Sequence, residues 1–169
     1  VVPGHGPSDA RIVLVGEAPG DLEDRQGQPF IGPAGQLLRE CAKIAGLDWS
    51  SCYVTNAVKH FRFKGKKRLH DKPRAGEIRA CAPWLRAEFG ALKEARVIVC
   101  LGRTATFSVL GAHAPKALAR GELSECAWAD HALMTWHPAA ILRASEDEAH
   151  AMRSELVEHL KTAASLGQS

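Results

Sequence analysis

No apolar run in this 169-residue chain approaches the ~20 residues that a bilayer-crossing helix requires; Val97–Leu101 is typical of its longest stretches. No charged-then-apolar leader opens it. Cysteine occurs five times, at 41, 52, 81, 100 and 126, an odd and widely spaced set without a CxxC pair. That excludes a disulfide framework and a zinc knuckle, and reduced thiols are expected. A GxGxxG phosphate loop is also missing. Internal repeats, linkers and low-complexity tracts are absent as well. What is there is an ordinary globular composition, 46% hydrophobic and 24% charged. It predicts one domain over residues 1–169, soluble and cytoplasmic, acting as a monomer with no membrane partner.

The net charge of +3 is unevenly spread. Between Lys59 and Arg74 lie eight of the 22 Lys and Arg against one acid, Asp71, so this window alone carries +7 and the rest carries −4. A concentrated basic face is the footprint of a polyanion binder. A solvated, lysine-rich loop is the plainer alternative.

Arg11–Gly16 is a short apolar run closed by glycine, the pattern of a strand buried on both faces of a parallel sheet. Ala34, Leu37, Leu38, Cys41, Ile44 and Ala45 follow helical spacing from Pro33 and stop at Gly46. Cys52–Asn56, Arg96–Leu101 and Ala132–Trp136 read as further strands. Helices are expected from Pro73 through Leu92, over Thr104–Leu110, and from about Glu146 to Leu166. This alternation predicts a three-layer α/β/α fold around a central four-stranded, mostly parallel sheet. Such sheets bind ligands beyond the carboxyl ends of their strands, here residues 16–33, 56–74, 102–104 and 137–143.

Each of those loops offers chemistry. Glu17 follows the first strand, and the Gly/Pro-rich path after it holds Phe30; a solvated acid and a core ring are the alternatives. Asn56 ends the second strand with an amide able to read both a donor and an acceptor on one ring edge, although asparagine is also a common turn residue. His137 follows the fourth strand. A planar ring, an amide, an acid and a histidine at strand ends describe a pocket for a small planar heterocycle.

The segments GEAPG (16–20), GQPFIGPAGQLL (27–38), VTNAVKH (54–60) and WHPAAILR (136–143) resemble the uracil-DNA glycosylase superfamily, in particular its family-four iron–sulfur branch. The Lys66–His70 run KKRLH, preceded by NAVKHFRF, is similar to the loop of the UdgX branch, whose members become covalently attached to uracil-containing DNA. Ala18 departs from the UdgX pattern, which has glutamine there, and agrees with ordinary family-four sequences. The loop between Phe63 and Lys66 is also shorter.

The resemblance implies that Phe30 stacks on a uracil taken from single-stranded DNA or flipped from duplex, with Asn56, Gly16 and Ala18 completing the uracil site. It implies that His137 stabilises charge on uracil O2 and that His70 adds to the sugar C1′, assisted by Glu17. Lys64, Lys66, Lys67, Arg68 and Arg143 are expected on DNA. The branch also carries a 4Fe–4S cluster. Cys81 matches one ligand position and His60 stands at another, with the remaining two ligands expected upstream of residue 1. Cys41, Cys52, Cys100 and Cys126 read as small core hydrophobes. Three functions follow from these residues: a uracil excision that traps DNA on His70, a turnover uracil-DNA glycosylase, and a non-catalytic DNA-binding relative.

Overall fold

The computed structural model describes residues 1–111, 114 and 118–169. In chain order its elements are strand β1 (Ile12–Gly16), helices α1 (Asp21–Gln26) and α2 (Pro33–Ile44), strands β2 (Tyr53–Asn56), β3 (Phe63–Lys64) and β4 (Leu69–His70), and helix α3 (Ala75–Ala91). Then follow β5 (Val97–Leu101), α4 (Arg103–Leu110), β6 (Leu123–Ser124), β7 (His131–Thr135), α5 (Pro138–Arg143) and α6 (Glu146–Gln168). The main sheet has the order β2-β1-β5-β7-β6. Its first four strands are parallel, and β6 pairs antiparallel to β7. The expected four-stranded sheet is present, and β6 is an added edge of two residues, too short for a period-two signal.

Burial explains why these runs become central strands. Every residue of β5 is buried, and alternate side chains serve opposite faces. Leu14, Val97, Val99, Leu101 and Leu133 pack with Leu38 of α2 and with Leu156 and Leu160 of α6. Val13, Val15, Ile98, Cys100 and Ala132 pack on the other face with Leu85 and Phe89 of α3 and Val109 of α4. The result is the three-layer arrangement. Cys41, Cys52 and Cys100 are buried as expected, whereas Cys126 is only partly so.

Two differences from the sequence reading bear on the site. Helix α3 starts at Ala75, past Pro73, where the Glu77 carboxylate accepts the Arg74 N–H at 2.7 Å and caps the first turn. The Gly/Pro path after β1 contains α1, whose buried Glu23 accepts the Gly32 N–H at 3.0 Å and ties the two ends of that path together. Among the described residues, no helix is long and apolar enough to cross a membrane.

The chain leaves β1 for β2 on one side and returns to β5 on the other. The strand order therefore reverses at β1/β5, and the crevice beyond their carboxyl ends is where such folds seat ligands.

Candidate active site

A cavity of about 690 Å³ occupies that crevice and draws on all four strand-end loops. Of the expected residues, Glu17, Ala18, Phe30, Asn56, Arg68, His70, His137 and Arg143 line it. Gly16 lies beneath rather than in the wall. A Cβ there would collide with the Asn56 Oδ1 and come within 2.8 Å of the Phe30 ring, so the absent side chain is what lets amide and ring converge.

Phe30 is both of its sequence alternatives at once, a buried ring (7% exposed) and a wall of the cavity. Its backbone is left-handed, φ 56°, a conformation costly for a residue with a Cβ. Three contacts hold it: the Arg39 guanidinium donates to the Phe30 carbonyl at 3.1 Å, Gly35 leaves room for that carbonyl, and Trp49 meets the ring edge-on at 6.3 Å. Asn56, 3% exposed, ends β2 directly opposite Gly16.

His137 caps α5. Its Nδ1 accepts the Ala139 N–H at 3.0 Å, so a neutral ring carries its proton on Nε2. Burial lowers its pKa, against the pull of Glu17, with Arg143 and His70 adding to the lowering. A neutral imidazole with Nε2–H as donor is therefore the form expected at pH 7.

Glu17 Oε1 is 3.9 Å from His70 Nε2, and Oε2 accepts the Thr104 hydroxyl at 2.6 Å. The backbone there is fixed by the Val58 N–H, which donates to the Glu17 carbonyl at 2.9 Å and prolongs the β1–β2 pairing. The adjacent His70 imidazole holds the Glu17 carboxyl down to about 2; burial opposes this, and the Thr104 hydroxyl, His137 and Lys72 reinforce it. The acid is ionised throughout the physiological range.

His70 ends a two-residue hairpin strand, its side chain 44% exposed, and stacks on Phe61 at 6.1 Å between ring centres. The hairpin is fastened by charge. Arg68, itself left-handed at φ 50°, places Nε 2.5 Å from Asp21 and Nη2 2.6 Å from Asp24 of α1, and lies over the Phe63 ring at 4.5 Å. This alters the reading of the basic run. Arg68 is expected on a phosphate, yet its guanidinium fork is engaged by two aspartates. Lys59 is 2% exposed and paired with Glu88 at 2.8 Å, and Arg62 is paired with Asp71 and Glu77. Lys66 and Lys67 are exposed at the tip, and Lys64 is exposed while 3.2 Å from Asp71. Sequence counting sees eight equal charges; among the described residues, pairing leaves Lys66 and Lys67 at the hairpin tip, and Lys72 and Arg74 beyond it, without a carboxylate partner.

Cys81 and His60 line a second cavity of about 510 Å³, and the Cys81 thiol accepts the Lys59 N–H at 3.4 Å. Among the described residues, no group of three or more His, Cys, Asp or Glu is arranged to hold a metal. A 4Fe–4S cluster takes four ligands, so these residues alone do not fit one. Thr104 and the aspartates of α1 are site residues that sequence reasoning passes over. The loop 102–104 is singled out by its place after β5, but a lone threonine carries no signal until its partner is known.

The sequence profile of the uracil DNA glycosylase superfamily matches residues 3–161. The chain belongs to this superfamily. It is 34% identical over 163 residues to the type-4 uracil-DNA glycosylase of Thermotoga maritima, covering 96% of this chain and 82% of that one. It is 34% identical to the type-4 enzyme of Pyrobaculum aerophilum, with 84% and 73% covered, and 36% identical to that of Sulfurisphaera tokodaii, with 83% and 65% covered. The chain thus spans between 65% and 82% of these relatives' lengths.

Proposed function

We propose that this member of the superfamily is a uracil-DNA glycosylase that cleaves the uracil N-glycosidic bond and captures the sugar on His70. One observation carries the reading: the imidazole of His70 and the ionised Glu17 stand 3.9 Å apart at the same cavity that Phe30, Asn56 and His137 line. Uracil stacks on Phe30 and pairs its edge with the Asn56 amide, while Ala18 leaves the base room and Gly16 lets ring and amide converge beneath it. The bond from C1′ to N1 breaks and its electron pair leaves with uracil. His137 Nε2–H meets the charge that develops on O2, a preorganised donor that needs no proton transfer. A His70 ring nitrogen gives its lone pair to C1′, forming the new N–C bond. The proton on the other ring nitrogen passes to Glu17 or solvent, and the uracil anion takes a proton from solvent. Lys64, Lys66, Lys67 and Arg143 hold the phosphates.

Ala18 in GEAPG, as in ordinary family-four sequences, favours a second reading in which water adds to C1′ with Glu17 as its base. A denaturing gel of the protein with uracil-containing single-stranded DNA separates them. A shifted covalent band that disappears in His70→Ser, with uracil release persisting, supports trapping. Abasic product without a band supports turnover, and unchanged DNA refutes both.

A further inference from the structure

Thr104 opens α4 on the far side of the β1/β5 switch point, 87 residues from Glu17. A hydroxyl in the first turn of a helix ordinarily serves its own backbone. Thr106, two residues on, does so, donating to the Gly102 carbonyl at 2.8 Å, and Ser108 donates to the Thr104 carbonyl at 2.8 Å. The Thr104 hydroxyl instead crosses the cavity wall to Glu17 Oε2 at 2.6 Å. A carboxylate on a rotatable side chain offers either oxygen to a neighbour. With Oε2 held by Thr104, Oε1 is the oxygen turned toward His70 Nε2, 3.9 Å away.

We propose that Thr104 is a positioning residue that fixes the Glu17 carboxylate so that one chosen oxygen faces His70. The inference rests on the role given to Glu17 beside His70. The hydroxyl donates, so it also favours the ionised carboxylate. The other charged groups lining the cavity with Glu17 are Arg68, His70 and Lys72 from the hairpin side, Arg103 of α4, His137 and Arg143 of α5, and Asp21 and Glu23 of α1. None of them bonds Oε2, and among the described residues Thr104 is the hydroxyl that does.

The test compares Thr104→Val, near in shape but without the hydroxyl, with Thr104→Ser, which keeps it. Adduct formation and uracil release on uracil-containing single-stranded DNA are followed between about pH 4 and 8. Carboxyl-carbon NMR follows the titration of Glu17 itself. In Thr104→Val, the rate at neutral pH is expected to fall about tenfold, the lower end for a lost hydrogen bond to a charged group. The Glu17 titration rises from about 2 part of the way toward its ordinary 4.5, since His70 is the larger cause of the lowering. Thr104→Ser restores both, and an unchanged melting temperature separates positioning from folding. Should Thr104→Val not fold, Thr104→Ala supplies the hydroxyl-free comparison. An unchanged profile with an unchanged Glu17 titration overturns the proposal. A wild-type protein that neither releases nor traps uracil refutes the functional reading instead, while the carboxyl titration still decides whether Thr104 holds Glu17.

Discussion

Asn56 sits 3% exposed at the end of a strand paired along its length, whereas His70, with a side chain 44% exposed, ends a strand of two residues. The first belongs to a floor made of Gly16, Phe30, Asn56 and His137, whose places are set by the buried strands beneath. The second belongs to a hairpin held by Arg68 to Asp21 and Asp24 and by Arg62 to Asp71 and Glu77. Core packing is costly to disturb, since each buried aliphatic side chain contributes roughly 1.5–3 kcal/mol. Partly exposed ion pairs contribute little individually, about 0–1 kcal/mol. The difference teaches that the residues proposed for base recognition and leaving-group stabilisation are built into the fold, while the proposed nucleophile rides on a latched appendage. On that proposal the two functions should be separable by mutation.

The largest effect is expected on the floor. His137→Asn keeps an acceptor able to cap α5 but removes the imidazole proposed to meet the charge on uracil O2. Losing one preorganised donor costs about 100- to 1,000-fold in rate. Single-turnover uracil release and adduct formation should fall together by this factor, with little change in melting temperature. A loss of adduct alone would move His137 out of the floor and break the comparison.

This contrast also decides what was legible in the sequence. Arg96–Leu101 announces β5 because a strand buried on both faces must be apolar throughout, and the helix from Pro33 is announced by a period that its burial imposes. Once strands and helices alternate, Glu17, Asn56 and His137 fall at strand ends by topology. The hairpin is different. Its strands are too short to carry a pattern, and its fastening depends on pairs between Arg68 and α1 that lie 44 and 47 residues apart. Charge counting treats Lys59 and Lys67 alike, although one is buried against Glu88 and the other faces solvent. Thr104 is invisible for the same reason, since its partner is chosen by the fold.

A smaller and more selective effect is expected at the latch. Arg68→Ala releases the hairpin from Asp21 and Asp24 and removes the cation over Phe63. Stability should change little, because exposed pairs are screened by solvent. Misplacement of a reacting group by ~1 Å can cost about 100-fold, so capture by His70 should slow at least tenfold while uracil release changes less. Arg68→Lys keeps the charge but not the fork that spans two carboxylates, and should restore little. Equal losses in release and capture would show that the hairpin is part of the floor.

The smallest effect concerns salt, and it distinguishes charges within the hairpin itself. Binding to single-stranded DNA releases counterions, and the affinity falls with salt by a slope of about 0.7 for each phosphate neutralised. Lys66 and Lys67 are exposed at the tip, so Lys66→Gln with Lys67→Gln should flatten the slope by roughly 1.4 if both contact phosphates. Arg68 is expected to behave otherwise. Its charge is matched by Asp21 and Asp24 at 2.5 and 2.6 Å, so it releases no counterion when DNA arrives. Arg68→Ala should therefore leave the slope in place even as it weakens capture, because it unfastens the hairpin without removing a phosphate contact. The measurement is a binding titration on uracil-free single strands across a range of salt, which keeps covalent capture out of the equilibrium. A slope that drops by about 0.7 in Arg68→Ala would show that the guanidinium leaves its aspartates for a phosphate on binding. The latch would then open when DNA docks, and the hairpin would be set in place by the substrate rather than by α1.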